Sequence, residues 1–314
     1  MNNKWKLILF ILILNTVTIW LAVLTGGSSE NIKIVACDVG QGDAILATYK
    51  NYQVLIDGGP NDRVINCLSK YMGFWDRNIE LVILTHPQTD HFTGLVEVYK
   101  RYTVDLMIAN NLDSGTQEYK VLKSLVGGSD TKVITPETGV KMRLGLIYLD
   151  ILHPSKKFLL ENTQEIAFEN TGNKTREEMQ ASTKGDNVLG AFTSNRDPND
   201  FSIVAVLSFK DFDALLTGDI GPKISDVLSE SGQIKDVDYI KIPHHGSKNG
   251  LSNGLLEATM PEIAVISAGK NNRYGHPHQE IIKLLTENDT KILGTYELGD
   301  VVVESDGEKI WLGN

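Results

Sequence analysis

Seven histidines stand in this 314-residue chain, and each falls just beyond an apolar, strand-like run. The densest group is Thr85-His86-Pro87-Gln88-Thr89-Asp90-His91, directly after Leu81–Leu84. Two imidazoles and a carboxylate in so short a segment offer borderline-to-hard ligands suited to Zn²⁺ or Mn²⁺. Alone, the segment reads as well as a polar loop. Four other places repeat the chemistry: His153-Pro154, Thr217-Gly218-Asp219, Pro243-His244-His245-Gly246-Ser247 and His276-Pro277-His278. Taken together they point to one crevice, lined from several strand ends and holding divalent metal.

Other residues are candidates to support such a site. Asp57 and Asp43 can orient histidine N–H groups from behind the ligands. Asp57 also suits an ordinary turn, and the glycines around Gln41 suit tight backbone geometry. His276 is a candidate for substrate contact at the rim, whereas His278 serves equally well as a helix cap. Ser247 follows His245 closely, but no base and orienting group can be read around it. A turn or a phosphate contact therefore suits Ser247 better than nucleophilic catalysis.

The elements that must position these residues alternate between strand and helix. Strands are expected over Ile32–Val39, Ala44–Tyr49, Val54–Asp57 and Leu81–Leu84, with helices around Asp62–Tyr71 and Phe92–Tyr102. A hairpin is expected about Gly145. The second half repeats the theme with strands Ser202–Phe209, Ala214–Thr217, Tyr239–Ile242 and Ile263–Ser267 and a helix over Gln279–Asn288. Early hairpins followed by strand–helix alternation in both halves predict an α/β fold of two sheets with helices outside. Residues 156–199 break the pattern: they are polar, without sustained apolar periodicity, and read either as a lid over the site or as a disordered insertion.

Composition narrows the function. Thirty Lys+Arg against forty Asp+Glu give a net charge of −10, which excludes a broadly basic nucleic-acid binder. A polyanionic substrate would need a local cationic feature such as bound metal. Two cysteines, Cys37 and Cys67, exclude a disulfide framework and a cysteine-rich zinc site. The two can pair outside the cytoplasm or remain as buried free thiols.

At the N-terminus, Leu7–Leu24 is apolar but for Asn15, Thr16 and Thr18. As a helix it would span about 27 Å, near the thickness of a bilayer's hydrocarbon core. Lys4 and Lys6 precede it, so the basic end should stay in the cytoplasm and the rest of the chain outside. Residues 1–28 are thus expected to form a membrane anchor or a cleaved signal segment, and 29–314 the globular domain.

The motifs carry a resemblance. Asp38-Val39-Gly40-Gln41-Gly42-Asp43-Ala44, Leu55-Ile56-Asp57-Gly58-Gly59, Leu84-Thr85-His86-x-x-x-Asp90-His91, Leu216-Thr217-Gly218-Asp219 and Pro243-His244-His245-Gly246-Ser247 occur in that order. Asn199-Asp200-x-Ser202 and Asn272-x-Tyr274-Gly275-His276-Pro277 accompany them. From Asn31 onward, the polar insertion apart, the chain resembles the metallo-β-lactamase-fold domain of the ComEC/Rec2 competence proteins. The resemblance implies a four-layer αββα sandwich, here with an N-terminal transmembrane helix. Only one apolar segment stands before the domain, so the expectation is a free-standing, membrane-tethered form without that family's polytopic channel.

It also implies roles. His86, the residue at position 88 and His153 would hold one metal, and Asp90, His91 and His245 the other, with Asp219 bridging both. Asp90 and His244 would take part in catalysis, with His244 beside the metals and near a phosphate oxygen. The departure is Gln88, where the family carries His or Asp. A neutral carboxamide is the poorer ligand, so the first site would be weakened, select a harder ion such as Mn²⁺, or stay empty. One or two divalent ions, Zn²⁺ or Mn²⁺, are therefore expected.

The implied activity is extracytoplasmic metal-dependent hydrolysis, as a phosphodiesterase or nuclease acting on a phosphodiester such as DNA. The alternatives are hydrolysis of a small phosphoester or other ester in the cell envelope, and a catalytically impaired protein that binds DNA or a partner.

Overall fold

The computed structural model describes residues 2–25, 30–165 and 189–313. The chain divides into two compact units, Met1–Glu30 and Asn31–Asn314.

The first unit is one helix, α1 (Asn3–Thr25), whose side chains from Trp5 to Val17 are exposed. Thr18 returns its hydroxyl to the Leu14 carbonyl at 3.0 Å. Among the described residues no helix is long and apolar enough to cross a membrane. The transmembrane expectation is corrected to that extent: the apolar run continues to Leu24, past Thr18, the last described side chain of α1.

The second unit is built on two large sheets. The first joins β1 (Ile32–Ala36), β2 (Ile45–Tyr49), β3 (Tyr52–Ile56), β4 (Asn78–Leu84), β5 (Thr103–Ala109), β6 (Lys132–Ile134), β16 (Val301–Ser305) and β17 (Ile310–Leu312), in the order β17-β16-β1-β2-β3-β4-β5-β6. The second joins β7 (Lys141–Leu144), β8 (Ile147–His153), β11 (Val204–Phe209), β12 (Phe212–Leu216), β13 (Tyr239–Lys241), β14 (Ile263–Ile266) and β15 (Lys291–Gly294), in the order β15-β14-β13-β12-β11-β8-β7. Hairpins make each sheet antiparallel on one side; β3 to β6 and β12 to β15 run parallel.

Period-two side-chain alternation sets the layers. Ile34, Ala47, Val54 and Leu81 of the first sheet and Leu149, Leu207 and Ala214 of the second share one buried core between the sheets. Val35, Leu46, Leu55 and Val82 face the other way, onto α2 (Arg63–Tyr71), α3 (Thr89–Tyr99) and α4 (Gln117–Gly127). Leu215, Ile240 and Ala264 likewise face α6 (Pro222–Glu230), α7 (Asn253–Thr259) and α8 (Gln279–Glu287). Helices, sheet, sheet and helices thus stack as the expected four layers.

Cys37, just past β1, and Cys67, in α2, are joined as a disulfide. Of the polar insertion, α5 (Lys156–Asn162) is capped by the Ser155 hydroxyl, and β9 (Gln164–Glu165) pairs antiparallel with β10 (Phe192–Thr193). Residues 166–188 lie outside the described residues, and with them the choice between lid and disorder. A four-residue α9 (Thr295–Leu298) precedes β16.

The loops leaving the carboxyl ends of the parallel strands carry the chemistry. Asp57 follows β3, His86 follows β4, Asp219 follows β12, and His244 and His245 follow β13. In open α/β sheets this end is where ligands bind.

Candidate metal centre

Helix α3 begins three residues earlier than its periodicity predicts, so Asp90 and His91 sit in its first turn. A carboxylate there complements the helix dipole. The helix can lie this close because Gly94 has no side chain: a Cβ would meet the Gly58 carbonyl oxygen at 1.9 Å. Beneath it Asp57 adopts φ 58°, a left-handed conformation that carboxylates and carboxamides tolerate better than most residues. Its carboxylate then accepts from the Thr85 amide at 2.8 Å, the Thr85 hydroxyl at 2.7 Å and His91 Nδ1 at 2.7 Å. On the facing sheet His244 and His245 are also left-handed, at φ 52° and 56°. Backbone held this way by bulky residues stores strain and marks a turn shaped for its side chains.

Asp90, His91, Asp219 and His245 each bring a ligand atom to within 4.8 Å of all the others. Asp219 Oδ2 lies 3.2 Å from both His91 Nε2 and His245 Nε2, and Asp90 Oδ2 lies 3.4 Å from His245 Nε2. The His86 ring centroid lies 4.1 Å from that of His91, the two planes tilted by 51°. Each of the three imidazoles is turned the same way. His91 Nδ1 donates to Asp57, His245 Nδ1 to the Ser267 carbonyl at 2.9 Å, and His86 Nδ1 to the Thr85 hydroxyl at 3.0 Å, an oxygen whose own proton goes to Asp57. Each Nε2 is left buried with no hydrogen-bond partner; the close approaches to Asp219 lack hydrogen-bond geometry. Buried polar atoms are rarely left so. Imidazole nitrogens with backed-up Nδ1 atoms, together with carboxylate oxygens, fit a divalent cation.

The electrostatics agree. Burial opposes the imidazolium of His91, but Asp219 and Asp57 outweigh it and hold its pKa well above the ordinary value. His245 is raised in the same way, by Asp219 and Asp43 against burial. Burial opposes the Asp219 charge too, yet His245, His91 and Lys241 hold this carboxyl well below its usual range. Asp90 is lowered against burial by His245 and His91. His86 is pushed down to about 3, by burial first and then by its charged neighbour His91. A divalent cation therefore competes with protons on His91 and His245, and its binding releases them.

The structure does not bring His153 into this group. Its Nε2 donates to the Asp200 carbonyl at 2.8 Å, and its ring packs against Phe158 at 5.0 Å, which commits that nitrogen to the backbone. Gln88 caps α3, its backbone carbonyl accepting from His91 and Phe92, and lines an open cleft of about 710 Å³ beside Asp90. His244 is half-buried with its ring 6.0 Å from that of His276, and His276 Nδ1 lies 3.4 Å from Gln41 Nε2. The rings of His244 and His276 lie 6.2 and 6.3 Å from that of His245. Tyr274 stacks on His276 at 5.7 Å and, with Arg273, lines the cleft. The Ser247 hydroxyl accepts from the Asn249 amide at 3.2 Å, and His278 Nδ1 accepts from the Lys248 amide at 3.0 Å, so both shape the turn.

Two residues support the site without a role that the sequence assigns them. Ser202 accepts from the Asp219 amide at 3.1 Å and lies 3.3 Å from His86 Nδ1, tying the sheets together at the site. Lys241 is 1% exposed, with Nζ on the Gly218 carbonyl at 2.9 Å, on Asp219 Oδ1 at 3.1 Å and in close contact with Asp43 Oδ2. Asp43 in turn reaches His245 Nδ1 at 3.4 Å. The available signal was a charged residue inside the short apolar run Tyr239–Ile242, directly before two histidines.

Comparison with known proteins agrees with this geometry. The profile of the metallo-beta-lactamase superfamily matches residues 37–270. ComE operon protein 3 of Bacillus subtilis is 36% identical over 104 residues, 33% of this chain and 13% of that protein. Recombination protein 2 of Haemophilus influenzae is 30% identical over 108 residues, 34% of this chain and 14% of that protein. The matched segments thus span about one seventh of these curated relatives. Among solved structures, the metallo-beta-lactamase fold protein YhfI of Bacillus subtilis aligns over 90% of this chain and 100% of its own, with a TM-score of 0.51 and 11% identity. CmlA of Streptomyces venezuelae, a diiron beta-hydroxylase, aligns over 88% of this chain and 55% of its own, at 0.50 and 12%. These two likenesses concern the fold alone.

Proposed function

This chain belongs to the metallo-beta-lactamase superfamily; from that premise we propose that it is a metal-dependent hydrolase that cleaves phosphodiesters outside the cytoplasm. The carrying observation is the convergence of Asp90, His91, Asp219 and His245, with the Nε2 atoms of His86, His91 and His245 buried and unpartnered. Asp90, His91, Asp219 and His245 would hold one divalent ion, and His86 would face a second. Such an ion supplies Lewis acidity toward a phosphoryl or acyl oxygen and makes water nucleophilic at neutral pH.

The chain's own residues do the rest. Asp57, Ser267 and Thr85 fix the tautomers of the three histidines. His244, lowered mainly by burial, and His276, lowered to about 4 by burial and by His245, present neutral imidazoles beside His245. Neutral imidazole can give or take a hydrogen bond, so this pair can orient a phosphate oxygen over the ligand cluster. The partial likeness to the two competence-related proteins supports DNA as the diester. The cleft favours a second reading, a small phosphoester: Arg273 is the one cation among its described lining residues, and the chain carries −10 overall.

The location outside the cytoplasm rests on two supports. Lys4 and Lys6 precede the apolar run. The Cys37–Cys67 disulfide belongs to the chemistry of oxidising compartments.

The test is elemental analysis of the purified chain, paired with a screen of DNA, RNA and small phosphodiesters in Mn²⁺ or Zn²⁺. Bound metal and cleavage, both lost in His91→Ala and reduced in Asp219→Asn, are expected. Metal without cleavage of any diester refutes the phosphodiesterase reading, and cleavage of small diesters without DNA selects the second reading.

A further inference from the structure

The buried Lys241 is used by none of the chemistry above, although it touches the carboxylate at the centre of the cluster. Asp219 has two oxygens with different surroundings. Oδ2 faces His91 Nε2 and His245 Nε2 at 3.2 Å each, on the side where the ligand atoms converge. Oδ1 faces away and takes Lys241 Nζ at 3.1 Å. The same ammonium contacts Asp43 Oδ2 and donates to the Gly218 carbonyl, so its three protons have three acceptors and its position is fixed. Asp43 Oδ1 completes the loop by approaching His245 Nδ1.

We propose that Lys241 is a positioning residue for the metal centre: with Asp43 it clamps the outer oxygen of Asp219, so that this carboxylate offers a single oxygen to cations. The inference deepens the metal-site reading and rests on it. Two features carry it. A lysine that is 1% exposed is expensive to bury unless paired, and both of its carboxylate partners belong to the site rather than to the surrounding core. Geometry also separates its work from that of the ligands, because Nζ and the converging Nε2 atoms approach opposite oxygens of Asp219. Without the clamp the carboxylate is free to rotate and to chelate through both oxygens, which changes the number and geometry of ligands rather than only the stability of the fold.

The experiment is a Co²⁺ titration of the full chain followed by visible absorption, with thermal unfolding recorded in parallel. Lys241→Met leaves Asp43 and Asp219 buried without their cation, so Asp43→Asn/Lys241→Met, which removes the charge pair together, is prepared beside it. Both variants are expected to bind Co²⁺ about 10–100-fold more weakly, in line with other residues that orient ligands. An altered d–d band shape is also expected, a signature that lowered stability alone does not produce. A folded variant of either kind with wild-type Co²⁺ affinity and band shape overturns the proposal while leaving the metal site standing. A wild-type chain that takes up no Co²⁺ overturns the metal site itself, and this proposal with it.

Discussion

Replacing Asp57 separates its role behind His91 from an ordinary turn. Its carboxylate, whose pKa burial holds above the ordinary value against the pull of His91, accepts from the Thr85 amide, the Thr85 hydroxyl and His91 Nδ1 at 2.7–2.8 Å. Asp57→Ala strips all three donors of their acceptor. The hydroxyl can rotate to another oxygen, but the amide and the imidazole N–H cannot. Two orphaned buried donors at about 1–3 kcal/mol each amount to about 2–6 kcal/mol of lost stability. Asp57→Asn keeps the left-handed φ of 58° tolerable and retains one acceptor oxygen, so about half of that loss is expected. Either change unfixes the His91 tautomer and should weaken metal binding about 10–100-fold. Urea unfolding of the metal-free protein measures the first effect, and chelator competition the second. If Asp57→Asn loses stability but binds metal as tightly as wild type, Asp57 serves the turn alone and the argument for aligned tautomers fails.

His153 supplies a pH test. Burial brings its pKa down to about 4 from 6.5, with the Asp200 carbonyl pulling the other way. A folded value below the unfolded one means the unfolded chain takes up the proton first. Stability is therefore intact above about pH 6.5 and falls as the pH drops toward 4, by up to about 3 kcal/mol. His153→Gln, which can still donate to Asp200, should show a correspondingly flatter acid limb in chelator-treated protein; an identical limb would remove His153 as its source. The Cys37–Cys67 bridge closes a loop with a sequence separation of 30, worth about 3–4 kcal/mol in the chain-entropy treatment. Unfolding with and without reductant should differ by that order in wild type and not at all in the double Cys→Ala variant.

What could be read from the sequence depended on how far each residue's partner lies along the chain. His86, Asp90 and His91 are legible because three ligand types crowd one strand exit, and Asp219 and His245 because the same pattern recurs at later exits. Apolar periodicity puts the start of α3 too late, since Thr89, Asp90 and His91 carry no apolar signal, although they form its first turn. His153 has the same local signature as the others. What sets it apart is the Asp200 carbonyl, 47 residues on, which no local pattern announces. Lys241 is the converse. In a four-residue run a lysine reads as an outward-facing strand position, and only the folded chain brings Asp43 and Asp219 to its ammonium.

These misses share a cause with the site's construction. Asp57, His86, Asp90 and His91 leave the first sheet, while Asp219, Lys241 and His245 leave the second. Neither sheet holds a complete ligand set, so the cluster closes only when the two pack across the core of Ile34, Val54, Leu149 and Leu207. Contacts that tie the halves at the site follow the same division: Ser202 of the second half reaches His86 of the first, Asp43 of the first reaches Lys241 of the second, and Asp219 reaches His91. A cation held by Asp90, His91, Asp219 and His245 would join the sheets at the same place. Its binding free energy is then coupled to sheet packing, and the part of the site hardest to read in sequence is the part that exists only in the packed sandwich.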